Sequence, residues 1–291
     1  MTTRASVLVT GATGNTGSRV ADRLVALGHD VTPAARRPTD TAGARGVRFD
    51  WHDDRTYAAA LRGADRAYLV PPVGDPDPAA VMLPFLEQAR AAGVRRVVLL
   101  SSSAIPVGGP GVGQVHAALA DGLVGDWAVL RPSWFMQNFT GGHLHAQSIR
   151  ESGVVSSATG DGKVGFVDAD DIAEVAVRAL TDPVAPDTDL VITGPEALSY
   201  REVASVLAQV SGSPVEHRQL TYEQMRERLI AAGIPGAFAA MLADMDRSIA
   251  GGAENRVTGT VERMTGRPPR TFRAHAERAL AERVRREGPR A

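Results

Sequence analysis

The sequence contains no cysteine, and Lys163 is the single lysine among its 32 basic residues. Without cysteine there can be no disulfide, no thiolate ligand for a metal ion and no thiol nucleophile. The basic residues are balanced by 33 Asp and Glu, and the formal net charge of −1 lacks the basic surplus typical of proteins that bind nucleic acids. We therefore expect a protein that acts on a small molecule and has no nucleic-acid partner.

The sequence also lacks any run of about 18 apolar residues, the length that a transmembrane helix requires. Its N-terminus leads into a short apolar strand rather than into a signal peptide. Because a disulfide-free composition fits a reducing compartment, these features predict a cytoplasmic protein with no membrane partner. The 291 residues, of which 44% are hydrophobic, suffice for one large domain or two smaller ones with a buried core.

Short β-branched apolar runs alternate with amphipathic stretches through the first 130 residues. Strands with continuous apolar character, separated by helices, are typical of a parallel sheet covered on both faces. We therefore predict an α/β fold with a doubly wound parallel sheet. The predicted strands are residues 6–10, 31–34, 47–50, 67–70, 94–101 and 127–130, and the predicted helices are residues 15–27, 54–62 and 78–92.

The pattern changes after Arg131 and Pro132. The following residues favour helices over short strands, and Pro and Gly residues separate them. We predict a sheet domain over residues 1–132 and a smaller, mostly helical substrate-binding region over residues 133–291, partly interleaved with the first. Its predicted helices are residues 133–152, 170–180, 199–210, 222–232 and 273–286, and its predicted strands are residues 154–157 and 190–193.

A glycine-rich turn, TGATGNTG at residues 10–17, lies between the first predicted strand and the first predicted helix. Gly11 permits a tight turn, Gly14 lets a ligand approach the backbone, and Gly17 lets the helix pack closely on the strand. Such a turn presents backbone N–H groups and the positive end of a helix to a pyrophosphate. The context of strand, turn and helix therefore predicts a dinucleotide-binding domain.

The end of the second predicted strand indicates which dinucleotide is bound. A site for NAD(H) usually has an acid there that binds the ribose 2′-hydroxyl, whereas this chain has Arg36 and Arg37 and no acid. A guanidinium group pairs well with a 2′-phosphate. We therefore expect NADP(H), with Arg36 as the main contact, and NAD(H) stays open as the alternative. Two solvated arginines would be the simpler explanation of this pair.

Two further pairs of residues follow predicted strands at the same edge of the sheet. Asp50 and Trp51 end the third strand, where they would lie beside the adenine, although a turn acid and a packed indole explain them equally well. Pro71 and Pro72 follow the fourth strand and would line the path toward the nicotinamide ribose. We assign all four to cofactor binding.

Several segments together resemble the NmrA-like, atypical short-chain dehydrogenase/reductases. They are TGATGNTG at 10–17, VVLLSSSA at 97–104, LRPSWFMQNF at 130–139, GDGKVGFVDADDIAEVA at 160–176, ITGPEALSYREVASVL at 192–207 and TGRPPRTF at 265–272. The resemblance implies a Rossmann-type domain with a small C-terminal substrate domain that binds NADP(H) or NAD(H). Branches of the family include ergot-alkaloid-type reductases, quinone reductases, tailoring enzymes of polyketide pathways, and redox sensors that bind dinucleotide without turnover.

The resemblance also assigns residues by position. It places Arg36 at the 2′-phosphate, and it makes Ser103 the counterpart of the hydroxyl that orients the substrate in the wider superfamily. The remaining positions match the pyrophosphate loop, the end of the fifth strand and the segment over the nicotinamide; they are Gly11, Thr13, Gly14, Asn15, Thr16, Gly17, Ser101, Ser102, Pro132, Phe135 and Asn138.

The chain departs from the wider superfamily in its proton donor. The usual reductases use a Tyr followed four residues later by a Lys, and no tyrosine here has a Lys at that spacing. Val112 and His116 occupy the two positions. His116, whose ordinary pKa is about 6.5, is one candidate acid, and Ser103 is a candidate partner of a substrate oxygen. A helix histidine and a turn-capping serine are the alternative readings.

The substrate pocket is predicted from an apolar cluster within residues 130–139. Trp134, Phe135 and Phe139, with Asn138 between them, suit a flat aromatic substrate, although some of these rings must belong to the core. Lys163 lies in a glycine-rich loop near this pocket, where a solvated position is the alternative. No metal site is predicted, because His143 and His145 are two residues apart on a helix and point to different faces.

Three functions fit these residues. We favour an NADPH-dependent reductase of a bulky metabolite, aromatic or quinonoid, or an enone or iminium, as in polyketide or other secondary metabolism. A nucleotide sensor that reports the redox state to a regulatory protein is the first alternative. A monooxygenase-like tailoring enzyme, which reduces a quinone before oxygen attacks it, is the second. Substrate identity and oligomeric state, including a homodimer, stay open.

Overall fold

A computed structural model describes residues 4–41 and 43–287 of the chain. The chain forms two compact units. Unit 1 comprises Met1–Pro132, Ala169–Ile192 and Thr260–Arg267, and unit 2 comprises Ser133–Asp168, Thr193–Gly259 and Pro268–Ala291. The sequence analysis assigned residues 169–192 and 260–267 to the substrate-binding region, whereas the structure groups them with the sheet domain. The reason is that they supply a further strand and two helices to that domain.

Unit 1 is built on a sheet of seven strands in the order β3-β2-β1-β4-β5-β6-β9. Every neighbouring pair is parallel. The chain order reverses between β1 and β4, which creates the switch point where ligands bind in such sheets. The strands are β1 (Ser6–Thr10), β2 (Asp30–Ala35), β3 (Val47–Arg48), β4 (Arg66–Leu69), β5 (Arg96–Leu100), β6 (Asp126–Pro132) and β9 (Thr188–Ile192).

Helices flank this sheet, so the predicted doubly wound α/β fold is confirmed. A large apolar core joins the middle of the sheet to the helices that precede β4, β5 and β6. Its members include Leu8, Leu69, Phe85, Leu99 and Val115, all fully buried. The helices of unit 1 are α1 (Gly17–Ala26), α2 (Tyr57–Leu61), α3 (Ala79–Ala91), α4 (Val112–Ala120), α6 (Ala169–Thr181) and α10 (Thr260–Thr265).

A buried arginine ties α6 to the sheet at the end away from the strand C-termini. Arg96 donates to the carboxylate of Asp126 at 3.0 and 2.9 Å and to the backbone carbonyl of Asp182 at 2.6 Å. The last carbonyl groups of a helix lack partners within the helix and carry negative partial charge. A guanidinium group placed there satisfies several of them at once, which fixes where α6 ends.

Unit 2 combines helices with two small sheets. Strand β7 (Val154–Ser157) pairs in parallel with β11 (Glu216–Gln219), and β8 (Lys163–Val164) pairs antiparallel with β10 (Leu198–Ser199). Phe139, Phe166, Tyr200 and Phe272 lie at the centre of its core. Its helices are α5 (Leu144–Ser152), α7 (Tyr200–Ser211), α8 (Tyr222–Ala231), α9 (Gly236–Ala250) and α11 (Phe272–Glu287).

The prediction of one helix over residues 133–152 was wrong. The chain forms a short 3₁₀ helix at Met136–Phe139, and α5 begins only at Leu144. Phe135 has extended backbone angles and forms a bridge with Val167, and the amide of Met136 donates to the carbonyl of Val167 at 2.9 Å. Tertiary pairing with residue 167 therefore overrides the helical pattern of this segment.

Other elements of the structure also differ from the predicted strands and helices. Strand β3 has two residues rather than the four predicted, and β8, β10, β11 and α9 were not predicted at all. The four residues of β11 are polar, so they show none of the apolar alternation that marks a strand. Within residues 4–41 and 43–287, no helix is long and apolar enough to cross a membrane.

Candidate functional site

The predicted cofactor residues of unit 1 lie at one edge of its sheet. The C-terminal ends of parallel strands meet at the same edge, and four of the predicted segments follow such ends. The glycine turn follows β1, Arg36 follows β2, Ser101–Ser103 follows β5, and Pro132 is the last residue of β6. The structure therefore brings together residues that are up to 121 positions apart, from Gly11 to Pro132.

The three glycines of the turn have the roles that the motif assigns them. Gly11 has a positive φ of +61°, and its carbonyl accepts a hydrogen bond of 2.8 Å from the amide of Gly14. A Cβ at Gly17 would overlap the carbonyl oxygen of Gly11, and a Cβ at Gly14 would lie 3.2 Å from the same oxygen. The close packing of α1 on the turn therefore requires glycine at position 17. At position 14 it leaves little room for a side chain.

The turn presents free N–H groups at the start of a ten-residue helix. The amides of Thr13, Asn15 and Thr16 donate to no backbone acceptor within the described part of the chain. Thr16, the N-cap of α1, makes no side-chain capping hydrogen bond. Unpaired amides and the positive end of the helix dipole form an anion-binding site. The residues present therefore fit a pyrophosphate.

Two exposed arginines lie next to this turn. The amide of Ala12 donates to the carbonyl of Ala34 at 3.2 Å, which holds the turn against the end of β2. Arg36 and Arg37 follow directly, and both are exposed. Neither makes an ion pair or a side-chain hydrogen bond with any residue that the structure describes. Their guanidinium groups are therefore available to an incoming phosphate.

Asp50 and Trp51 have contacts within unit 1 that explain their presence. The indole of Trp51 is buried, its Nε1 donates to the carbonyl of Val70 at 3.0 Å, and its ring meets Phe49 and Phe85 edge to face. The Asp50 carboxylate accepts from the amide of His52 at 3.1 Å. The alternative readings, a packed indole and a turn acid, thus account for what is seen, and contact with an adenine stays a prediction.

The residues that follow β4 and β5 include one hydroxyl group without a hydrogen-bond partner in the described chain. Pro71 and Pro72 are half-buried after β4. Ser102 accepts from the amide of Ala104 at 3.3 Å, whereas the hydroxyl of Ser101 is buried and has no partner in the part of the chain described. A buried hydroxyl without a partner is costly unless a ligand supplies one. Ser101 therefore fits a group of the bound cofactor.

The two predicted catalytic residues of unit 1 differ in their surroundings. Ser103 is buried, and its amide donates to the carbonyl of Pro132 at 2.9 Å. His116 is 3% exposed on α4, with its ring 6.0 Å from that of Trp127. Burial lowers the pKa of His116, and the charges of Asp189 and Arg131 act on it in opposite directions. The Nδ1 of His116 is buried and has no hydrogen-bond partner in the described chain, and the catalytic roles of both residues stay predictions.

The predicted substrate residues of unit 2 fall into two groups. Trp134, Phe135 and Asn138 are half-buried, whereas Phe139 belongs to the core and stacks on His145 at 5.4 Å. Lys163 forms an ion pair with Glu202 at 3.0 Å, and both side chains are more than 40% exposed. The alternative reading of Lys163 as a surface residue therefore explains its position without a substrate.

A buried network around Asp168 holds the segment of residues 136–140 in place. Asp168 is fully buried and accepts from Gln137 at 3.0 Å, from His275 at 2.8 Å and from Arg278 at 2.6 Å. The other ring nitrogen of His275 lies 2.9 Å from the hydroxyl of Thr140. The partners of Asp168 are 31 to 110 positions away along the chain, so no local sequence pattern shows this network.

A second group of side chains in unit 2 was not found from the sequence. We call it the Tyr200 cluster: His145, Tyr200, His217 and Asp246. The ring of Tyr200 lies 5.5 Å from that of His145 and 6.3 Å from that of His217. Tyr200 and Asp246 are 1% and 7% exposed, whereas His145 and His217 are half-buried.

Hydrogen-bonding capacity in this cluster is left unused. Asp246 accepts from the amide of Ala158 at 2.7 Å through Oδ2 alone, and the Tyr200 hydroxyl makes no hydrogen bond with any described residue. His217 binds Ser157 at 2.9 Å through Nε2, whereas its Nδ1 is buried and without a partner in the described chain. Buried polar groups are normally paired, so the buried Nδ1 of His217 is an atom that a ligand could satisfy.

Burial shifts the pKa of each titratable group in the Tyr200 cluster. Burial lowers the pKa of His145 to about 3, with smaller contributions from His143, Arg228 and His217, and burial also lowers the pKa of His217. Burial raises the pKa of Asp246 to about 6, against the opposing effect of its bond from Ala158. Among the described residues, no group of three His, Cys, Asp or Glu is placed to hold a metal ion.

Comparison with protein families gives two matches. Residues 11–183 match a family described as NAD(P)H-binding, a range that begins at Gly11 of the turn and includes β2 to β6 and α6. Residues 127–265 match a family described as NmrA-like.

Similar proteins and structures agree with these matches. The uncharacterized oxidoreductase YesF of Bacillus subtilis (strain 168) is 44% identical over 91% of this chain and 92% of its own length. Agroclavine dehydrogenase of Claviceps fusiformis is 38% identical over 92% of this chain and 94% of its own. The crystal structure of an NADPH-dependent quinone oxidoreductase from Escherichia coli, complexed with NADPH, has a TM-score of 0.80 at 24% identity, over 94% and 99% of the two chains.

Proposed function

This chain belongs to the NmrA-like family of NAD(P)H-binding oxidoreductases, and we propose that it uses NADPH to reduce a flat aromatic or quinonoid metabolite, an enone or an iminium. The observation that carries the proposal is the Tyr200 cluster. A protein that only senses dinucleotide needs the glycine turn and no second site, whereas in unit 2 the Nδ1 of His217 is buried and unpaired within the described chain, beside the ring of Tyr200. Such a site suits a planar substrate with a carbonyl or similar polar group.

The preference for NADPH rests on Arg36. A charge-assisted, bidentate pair between a guanidinium group and a phosphate contributes about 1.5–3 kcal/mol, and Arg36 has no competing partner among the described residues. No acidic residue occupies the end of β2, where it would repel the 2′-phosphate. The amides of Thr13, Asn15 and Thr16 would hold the pyrophosphate, and Ser101 would bond to the nicotinamide half of the cofactor.

The protein's own contribution to the reaction is positional. The bound nicotinamide supplies the hydride, and the chain must hold the acceptor carbon close to it and exclude water. We assign cofactor binding to the carboxyl edge of unit 1 and substrate binding to unit 2, where the Asp168 network fixes residues 136–140. Ser103 remains the candidate in unit 1 for a bond to a substrate oxygen.

The relatives support a reductase of this general kind. One similar protein is a dehydrogenase of agroclavine and one similar structure is a quinone oxidoreductase, and the match to agroclavine dehydrogenase extends over most of both chains. The half-buried rings of Trp134 and Phe135 in unit 2 would suit ring compounds of similar shape. We therefore place the substrate among planar, conjugated molecules that accept a hydride.

The experiment is an anaerobic assay of NADPH oxidation at 340 nm with menadione, 1,4-naphthoquinone and a panel of aryl enones. We expect NADPH loss in proportion to product with at least one acceptor. Tight NADPH binding without turnover of any acceptor would favour the sensor function instead. NADPH loss that requires oxygen, with oxygen consumed in proportion, would favour the monooxygenase-like function.

A further inference from the structure

We propose that two copies of this chain associate through the outward face of α11, in an antiparallel contact centred on Ala281. The inference goes beyond the proposed function and does not depend on it, because it concerns a surface of unit 2 and its test measures mass rather than activity. The surface is a groove between α7 and α11, which we call the α11 groove. Its central residues are Val210, Glu277, Leu280, Ala281, Val284 and Arg285.

The inner face of α11 is fixed to the rest of unit 2. Phe272 is fully buried in the core, and His275 bonds to Asp168 at 2.8 Å. At one end of the groove, Arg273 donates to the side-chain oxygen of Gln209 on α7, which joins the two helices. Because these contacts prevent α11 from rotating, its opposite face presents a defined set of residues to the solvent.

Apolar side chains line the middle of the α11 groove, which is open and has a volume of about 580 Å³. Val284 is 56% exposed and Ala281 is exposed, whereas Leu280 and Val210 are half-buried. Burying such neighbouring apolar groups against another surface is favourable. The groove therefore has the apolar centre that a protein contact requires.

Two charged residues flank this apolar centre at equal distances. Glu277 lies four positions before Ala281 and Arg285 lies four positions after it, so the three residues follow one ridge of the helix. Eight residues of helix span about 12 Å, which is too far for the two charges to pair with each other. Neither Glu277 nor Arg285 forms an ion pair or a hydrogen bond with any residue that the structure describes.

A second copy of the chain supplies the matching charges. When two identical helices cross antiparallel about a twofold axis, residues at equal distances on either side of the axis face one another. With the axis at Ala281, Glu277 faces Arg285 of the partner subunit, and the same pair forms a second time. The small side chain of Ala281 lets the helices approach closely, so that Leu280 and Val284 are buried between them.

This occupant explains the groove better than a ligand of one charge. An anionic ligand would meet the unpaired carboxylate of Glu277, and a cationic ligand would meet the guanidinium group of Arg285. A contact limited to α11 and the end of α7 belongs to the small interfaces, which bury less than about 1,200 Å² in total. We therefore expect a reversible dimer with a micromolar dissociation constant.

Charge reversal tests the pairing through a rescue that a twofold contact permits. Sedimentation equilibrium of the wild-type chain, over a series of concentrations, should give a monomer–dimer equilibrium. Glu277→Arg alone and Arg285→Glu alone each place like charges opposite one another, and each should raise the dimer Kd at least about tenfold. An equimolar mixture of the two variants should dimerise as wild type does, because each reversed residue then faces an opposite charge.

Glu282→Arg is the matched control, because Glu282 is exposed on the same helix and does not line the groove. It should leave the dimer Kd unchanged, and circular dichroism checks that all variants fold. A wild-type chain that stays monomeric at every concentration would overturn the proposal. So would a dimer that both single variants leave intact, or a loss of dimer in both variants without recovery in their mixture.

Discussion

The cofactor edge of unit 1 and the Tyr200 cluster of unit 2 are built in opposite ways. The edge uses backbone groups of one short segment, residues 11–17, and two arginines just past β2. The cluster uses single side chains from α5, α7, β11 and α9, which are up to 101 positions apart, from His145 to Asp246. The first is recognisable as a local motif, whereas the second exists only after folding.

The two regions also differ in the physical reason why a mutation would disturb them. At the glycine turn the constraint is steric, because a Cβ would occupy space that the backbone needs. In unit 2 the constraint is electrostatic, since buried groups such as Asp168 and Asp246 depend on the hydrogen bonds that surround them. The predictions that follow test this contrast, beginning with the largest expected change in free energy.

Asp168→Ala should cost about 4 kcal/mol of unfolding free energy, since removing one member of a buried charged pair typically costs about 3–5 kcal/mol. The substitution leaves Arg278, His275 and Gln137 each without the acceptor that they bind now. Urea denaturation measures the change, with Asp244→Ala as the exposed control. A loss below about 1 kcal/mol would show that the network is not what holds residues 136–140.

The free energy of unfolding should depend on pH because of Asp246. Its folded-state pKa of about 6 is above the ordinary 3.8, so the folded state holds this proton more tightly than the unfolded state. The resulting stabilisation is present at low pH and is lost as pH rises through about 6, by about 3 kcal/mol in total.

Asp246→Asn isolates that contribution. The difference in unfolding free energy between wild type and Asp246→Asn should decrease between pH 4 and pH 7, because His145, with its lowered pKa, affects both proteins alike. Urea denaturation at several pH values measures it. A difference that is constant with pH would contradict the raised pKa.

Gly17→Ala should weaken NADPH binding at least about 100-fold, or about 2.7 kcal/mol. The added methyl group would overlap the carbonyl oxygen of Gly11 and push α1 away from the turn that holds the pyrophosphate. Gly14→Ala, where the nearest atom is 3.2 Å away, serves as the milder control. Calorimetry gives the affinity, and circular dichroism checks that both variants fold. Unchanged NADPH binding in Gly17→Ala would show that the turn does not bind the cofactor.

Arg36→Ala should reduce the preference for NADPH over NADH about tenfold, which corresponds to about 1.4 kcal/mol. The affinity for NADH should stay the same, because the lost contact is to the 2′-phosphate alone. Arg37→Ala is the matched control and should have a smaller effect. If the two variants behaved alike, the phosphate would be held by the pair rather than by Arg36.

Lys163→Met should have the smallest effect, below about 0.5 kcal/mol in stability, as is usual for exposed ion pairs. Its partner Glu202 keeps its bond from the amide of Ser199 at 2.7 Å, so the cap of α7 survives. Melting temperature and kcat with menadione measure the outcome. A large loss of kcat at unchanged stability would show that Lys163 contributes to the substrate site.

The sequence alone predicted the features that depend on patterns of neighbouring residues. The parallel sheet of unit 1 and the glycine turn could be predicted, because apolar periodicity and turn chemistry are local, whereas the contact of Arg36 with a 2′-phosphate stays a prediction. The helix over residues 133–152 failed because Phe135 pairs with Val167, a contact that no local pattern shows. Tyr200, His217 and Asp246 were missed for the same reason, since each is a single polar residue in an ordinary strand or helix.

The most direct test of the account is a calorimetric titration of the cofactor-free protein with NADPH, NADP⁺, NADH and NAD⁺. The free amides of the glycine turn and the unpaired Arg36 predict that both phosphorylated dinucleotides bind at least about tenfold more tightly than the other two. A reductase also requires NADPH to bind at least as tightly as NADP⁺. Equal affinity for all four, or binding of the oxidised forms alone, would contradict the proposed function.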